Sequence, residues 1–194
     1  MLVPTPFAVF FGLLVFFHCS EFLLAAIFMR HELGTTSWLI SKPYAKAMGF
    51  AVLEFWLEWW LRPGIKGASG GMGLVAWVGL ALVLTGEVIR KVGMVTAQGN
   101  FTHQIRRQRD PSHQLVTHGI YRWIRHPGYL GWYVWCIGTQ VLLCNPVSAL
   151  AFAFVAWHFF RDRIEYEEYY LRRFFGPAYD EYARRTPTWI PLIP

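Results

Sequence analysis

Hydrophobic residues fall in five runs separated by polar breaks that carry proline or glycine. The first run, about Thr5 to Phe28, is long enough to cross a hydrocarbon core of roughly 30 Å at about 1.5 Å per residue. It is too long for a signal-peptide core and no small-residue cleavage pattern follows, so it is expected to stay in the mature chain. Two more runs cover about Tyr44 to Leu61 and about Met72 to Val88. A polar, basic stretch from Val95 to Pro111 comes next. Two shorter apolar runs follow, about Tyr129 to Leu143 and Val147 to Phe160, broken at Asn145-Pro146. They read as a helical hairpin whose short arms are accommodated by tilt and burial. The charged tail from Arg161 to Pro194 continues the last helix to about Phe174, where Gly176-Pro177 stops it. The pattern predicts one all-α integral membrane domain with about five transmembrane helices. Three N-terminal helices occupy residues 1–91, a polar loop 92–128, the hairpin 129–160 and a tail 161–194.

Polar residues inside the apolar runs need partners. His18 and Glu21 stand three apart on one helical face and are expensive in lipid, so they are expected to point into the bundle as a clasp between helices. Glu54 and Glu58 also share a face. Paired carboxylates can do acid/base work, but hydrogen bonding between helices, or exposure near the interface for Glu58, is the plainer reading. Glu87, Arg90 and Lys91 put acid and base on one helix edge. The loop Pro63 to Gly73, with GASGGMG, lacks both the GK[ST] ending of a phosphate-binding turn and a preceding strand, and reads as a connection.

Composition narrows the class. The 194 residues are 55% hydrophobic and 18% aromatic, with mean hydropathy +0.30, which fits a membrane domain and neither a disordered nor an ordinary soluble one. The net charge of +6 could suggest nucleic acid, but the basic residues lie between hydrophobic spans, which points to the membrane surface instead. Sixteen of the 18 basic residues fall on one face of the predicted topology; only Arg62 and Lys66 fall on the other. By the positive-inside rule the populated face is cytosolic. Cys19, Cys136 and Cys144 have no CxxC spacing and imply neither a disulfide frame nor zinc. No strand precedes a GxGxxG motif, which disfavours a soluble nucleotide-binding fold.

Candidate chemistry concentrates in His113 to Tyr129, HQLVTHGIYRWIRHPGY. Pro127 pushes His126 out of the α region and leaves backbone groups unpaired at the head of an apolar run. Gly119 and Gly128 let main chain approach a ligand, and Tyr121 and Tyr129 offer rings suited to a purine or a cation. A structural turn with interfacial aromatics and snorkelling arginines accounts for the same residues. Arg163 and Glu167 stand four apart where the hairpin returns to the same face. They form either an anion clamp with a cation partner or a surface ion pair.

The run LVTHGIYRWIRHPGYLGWYVWCIGTQVLLCNP, then WHFFRDRIEYEE and FFGPAYDEY, resembles the isoprenylcysteine carboxyl methyltransferase family. FFHCSEFLLA, VLEFWLE and GEVIRKVGMVTAQGNFTH extend the likeness over nearly the whole chain. The resemblance implies methyl transfer from S-adenosylmethionine to the α-carboxylate of a C-terminal prenylated cysteine in processed CaaX proteins such as small GTPases. The enzyme implied is a multi-pass protein of the endoplasmic reticulum membrane with its site facing the cytosol, and no metal is implied. Cofactor contacts carry over to Arg106, His113, Gln114, Leu115, Val116, Tyr121, His126, Pro127, Gly128, Tyr129 and Glu167, and Arg163 would hold the reacting carboxylate. Gly128 departs from the serine often found after HP, which leaves only backbone there. A carboxyl terminus is already ionised at neutral pH, so attack on a sulfonium methyl needs no general base. Charge diminishes on both reactants, which favours a dry site that aligns them. A prenyl tail of about fifteen carbons, at roughly 0.8 kcal/mol per buried CH₂, argues for delivery sideways from the bilayer. A phospholipid amine methyltransferase would find Arg163 repulsive towards its acceptor. A non-enzymatic membrane adaptor or channel subunit would use these polar residues only to pack helices.

Overall fold

Glycines recur every seven residues on one helix, at Gly79, Gly86 and Gly93, and face Gly131 and Gly138 on another. This is the seam around which the computed structural model is built. It describes residues 3–30, 33–66 and 71–194. Among these the structure is all helical: α1 Thr5–Phe28, α2 Lys42–Leu61, α3 Leu74–Ala97, α4 Pro127–Leu142, α5 Pro146–Phe175 and α6 Pro177–Arg185, with short 3₁₀ turns between them. Residues 67–70 of the glycine-rich connection lie outside the described residues.

At the seam α3 and α4 touch backbone to backbone. A Cβ on Gly86 would stand 2.5 Å from Gly131 O and from Trp135 N, and one on Gly79 would stand 2.0 Å from Leu142 N. Small residues allow this approach, and it supplies the van der Waals packing that holds helices together in lipid. Gly86→Ala is therefore expected to force α3 and α4 apart at a cost of roughly 1–3 kcal/mol or more. A wild-type unfolding midpoint in detergent would show that the seam yields. Phe17 of α1 stacks on Trp135 at 3.9 Å, and both are fully buried, which joins α1 to the seam.

The five long helices alternate in direction. The C-terminal ends of α1 and α3, the N-terminal ends of α2 and α4, and the second half of α5 meet at one pole, where the polar residues gather. Most polar groups within the helices find partners, as their spacing suggests. His18 bonds through Nδ1 to Trp38 O at 2.7 Å and through Nε2 to Tyr44 Oη at 2.8 Å. Glu54 accepts from Val147 N at 2.8 Å and Ser148 N at 2.7 Å, capping the start of α5. Glu58 pairs with Lys66 at 2.6 Å, and Lys66 also donates to Leu143 O, Cys144 O and Asn145 Oδ1. The paired carboxylates are thus helix clasps.

Helix boundaries differ from the sequence pattern: α2 begins at Lys42 rather than Tyr44, and α3 at Leu74 rather than Met72. The third helix does not end at Val88; it continues to Ala97, so residues 92–97 belong to it and not to the polar loop. Glu87, Arg90 and Lys91 do not end the helix because they are absorbed by partners on α1: Ser20 donates to Glu87 at 3.3 Å, and both cations pair with Glu21. The hairpin begins at Pro127 and not at Tyr129, because proline is well suited to the first helical position. The last long helix runs on unbroken to Phe175, where Gly176 at φ 55° ends it. By length and composition, α1 alone among the described residues is long and apolar enough to count as a membrane span; α4 has only 16 residues.

Candidate active site

His126 caps the start of α4 with φ −126° and ψ 66°, outside the α region as expected of a residue before proline. Its ring lies flat against Tyr129, 5.4 Å between centroids and 10° between planes, one turn further along. Behind it, Arg125 and His126 converge on a buried carboxylate of α5. Glu168 accepts from Arg125 Nε at 2.7 Å and faces His126 Nε2 at 3.2 Å. Arg125 also ties in the tail, since its backbone N–H donates to Pro187 O at 3.0 Å and its guanidinium to Ala183 O, Thr186 O and Pro194 O. The RHP turn is thereby bolted to α5 and to the segment after α6.

Burial alone would raise the Glu168 carboxyl, but His126 and then Arg125 outweigh it and draw it down to about 2. A group depressed from 4.5 contributes stability that is complete above the higher value and lost as pH falls through the lower one. Glu168 is therefore expected to contribute about 3 kcal/mol near neutrality and to surrender it between pH 4.5 and about 2. Unfolding midpoints measured across that window should fall steeply for the wild type and less for Glu168→Gln. Equal slopes would refute this role.

In front of the turn lies a polar cavity of about 110 Å³. The structure brings Arg106, His113, Gln114, Leu115, Val116, Tyr121, His126, Pro127, Gly128, Tyr129 and Glu167 together on its wall. Sequence reasoning did not single out Asn100, Phe101, Tyr170, Phe174 and Phe175, which also line it. All but Tyr170 bear on a residue already named. Asn100 Oδ1 accepts from Gln114 N at 2.8 Å, and the rings of Phe174 and Phe175 stand edge-on to His113 at 6.0 and 5.3 Å. The repeated aromatics YY and FF near the end of α5 were the available signal. Burial, followed by the positive charges of Arg106 and Arg109, holds the His113 imidazole below its ordinary pKa, so it is neutral at physiological pH. Its buried Nδ1 has no hydrogen-bond partner among the described residues. At Gly128 a Cβ would meet the Phe101 ring at 2.8 Å, so glycine lets that ring close the cavity wall.

Arg163 lies beside the cavity rather than in its wall. It does not pair directly with Glu167; Tyr129 stands between them. Arg163 Nε donates to Tyr129 Oη at 3.0 Å, and that hydroxyl donates to Glu167 Oε2 at 2.5 Å. Arg163 Nη2 donates to His103 O at 2.6 Å, which among the described residues leaves Nη1 for an incoming anion. The guanidinium also sits 5.4 Å from the Tyr129 ring and 5.8 Å from that of Phe159. Phe159, with Trp132, begins a second and larger space of about 1290 Å³. This groove runs between α2, α4 and α5, walled by side chains such as Phe50, Leu53, Leu57, Val155 and Ala156. One arginine thus stands where a polar cavity and an apolar groove approach each other.

A helical bundle that sets a cavity lined by His113, Gln114 and Glu167 beside a long apolar groove can hold a polar ligand and an apolar one side by side, and comparison with known proteins gives the class. The sequence signature of the isoprenylcysteine carboxyl methyltransferase (ICMT) family matches residues 77–173. The chain is 50% identical over 185 residues to the Oryza sativa subsp. indica protein named "Probable protein-S-isoprenylcysteine O-methyltransferase", covering 95% of each chain. It is 46% identical over 184 residues to protein-S-isoprenylcysteine O-methyltransferase B of Arabidopsis thaliana, covering 93% of this chain and 90% of the relative. The solved structure of a eukaryotic intramembrane Ras methyltransferase, ICMT, superposes with a TM-score of 0.92 at 37% identity, covering 97% of this chain and 67% of that one. This chain belongs to the isoprenylcysteine carboxyl methyltransferase family.

Proposed function

We propose that this protein transfers a methyl group from S-adenosylmethionine to the α-carboxylate of a C-terminal prenylated cysteine, breaking the S–CH₃ bond to leave S-adenosylhomocysteine and forming a methyl ester. The acceptors are processed CaaX proteins such as small GTPases. The five long helices cross the endoplasmic reticulum membrane and the polar pole faces the cytosol, where most of the basic residues lie. The observation that carries the reading is the place of Arg163, within reach of the polar cavity through Tyr129 and of the apolar groove through Phe159.

The cavity residues suit the donor. His113 presents an unpartnered buried nitrogen, Tyr121, Phe174 and Phe175 offer ring faces or edges to a purine, and Glu167 offers a carboxylate to a positive centre. When bound, S-adenosylmethionine supplies an electrophilic sulfonium methyl. The protein's part is to orient and to exclude water. Arg163 receives the acceptor carboxylate, which is already ionised and requires no base. The Tyr129 hydroxyl, shared between Arg163 and Glu167, sets the spacing between the anion's clamp and the cation's clamp. Prenyl carbons lie in the groove, where each buried CH₂ contributes roughly 0.8 kcal/mol. Alignment of two pre-bound reactants in a water-poor site supplies the rate.

The deciding assay is transfer of labelled methyl from S-adenosylmethionine to an N-acetylated farnesylcysteine by membranes containing the chain. The expected product is a base-labile ester. Failure to label the acceptor would overturn the assignment.

A further inference from the structure

Glu21 of α1 has no exposed surface, and it binds three basic side chains. Arg90 approaches it with both ends of a fork, Nε to Oε1 and Nη2 to Oε2, each at 2.7 Å. Lys91 Nζ donates to Oε1 at 2.5 Å, and His103 Nε2 lies 3.2 Å from Oε2. A buried carboxylate must be paired, but the Arg90 fork alone would satisfy that need. What sets this cluster apart is where its partners' remaining groups go. Arg90 Nη1 donates to Gly128 O at 2.8 Å, which holds the first turn of α4 where Gly128 and Tyr129 form the cavity wall. The main-chain carbonyl of His103 accepts from Arg163 Nη2 at 2.6 Å. One arm therefore ends on the turn assigned to the donor, and the other on the arginine assigned to the acceptor.

We propose that Glu21 is a positioning residue for methyl transfer. It touches neither reactant, and it fixes the separation of the two binding elements through Arg90 on one side and His103 on the other. This rests on the proposed methyl-transfer reading. Arg90 links α3 to α4 and Glu21 while His103 links the polar loop to α5 and Glu21, so displacing the carboxylate loosens both registers at once. Each arm can also be loosened singly.

The test measures KM for S-adenosylmethionine, KM for N-acetyl farnesylcysteine, and kcat on the full chain in membranes, with donor affinity by calorimetry on the purified protein. Arg90→Lys cannot hold Glu21 and Gly128 O together; it is expected to raise the donor KM and dissociation constant with the acceptor KM unchanged. His103→Ala is expected to raise the acceptor KM with donor affinity unchanged. Glu21→Gln keeps the shape and loses the charge; it should raise both KM values and lower kcat, roughly tenfold for a misplacement well under 1 Å. A merely structural role predicts instead that Arg90→Lys and His103→Ala shift both KM values together, in step with thermal stability, and that pattern overturns the proposal. Wild-type constants for Glu21→Gln overturn it as well. If Glu21→Gln fails to accumulate, the split between the other two variants decides the matter. Absence of transfer by the wild-type chain would defeat the proposed reaction, and donor affinity across the three variants would then judge the donor arm alone.

Discussion

Arg163→Ala is expected to abolish nearly all methyl transfer while leaving the chain folded and able to bind S-adenosylmethionine. The guanidinium holds Tyr129 Oη and His103 O with Nε and Nη2, and the helix carrying it is anchored independently through Glu168 and the RHP turn. The loss therefore falls on the incoming anion. Removing one partner of a desolvated, hydrogen-bonded ion pair costs about 2–5 kcal/mol, or roughly one and a half to three and a half powers of ten in kcat/KM. Arg163→Lys keeps the charge and forfeits the fork, so it should recover only part of the activity. Near-normal turnover of farnesylcysteine by the alanine variant would remove Arg163 from the site.

Glu167→Gln is expected to act on the donor first. The side chain keeps its shape and can still accept from Tyr129, but the negative charge on the cavity wall is gone. A hydrogen bond or contact with a charged group contributes about 1.5–3 kcal/mol, so the dissociation constant for S-adenosylmethionine should rise by roughly tenfold or more. The acceptor KM should move less, since Arg163 reaches Glu167 only through the tyrosine. Calorimetric titration of the purified variant measures the first effect directly, and unchanged donor affinity would show that the carboxylate serves Tyr129 alone.

The sequence was legible wherever local rules decide. Proline after His126, the Gly176-Pro177 stop and the pairing of His18 with another helix follow from single-residue conformational limits and from the cost of unpartnered polar groups in an apolar run. The cavity-lining residues stood out because most belong to one continuous stretch with unusual turn chemistry. Long-range partnership was hidden. Nothing near Arg90 announces that its fork is spent on Glu21, 69 residues away, so a charged helix edge looked like a helix end. Glu168 looked like one acid in a charged run, yet it is the buried partner of both Arg125 and His126, a fact that exists only once α5 lies beside the turn. The spacing of Arg163 and Glu167 was correct, but a tyrosine from another helix sits between them. The glycine seam is written in the sequence as an interval of seven on the third run and again on the fourth.

That seam also governs how the molecule can breathe. With main chain pressed against main chain along α3 and α4, and Lys66 binding the α4–α5 corner through three oxygens, one wall of the groove is a stiff plank. Any widening for a branched hydrocarbon tail therefore falls on the opposite wall, α2, which Glu54 holds to the start of α5. The pace of product departure would then be set by how readily α2 swings, and a crosslink between α2 and α5 would slow release without altering the bond-making step.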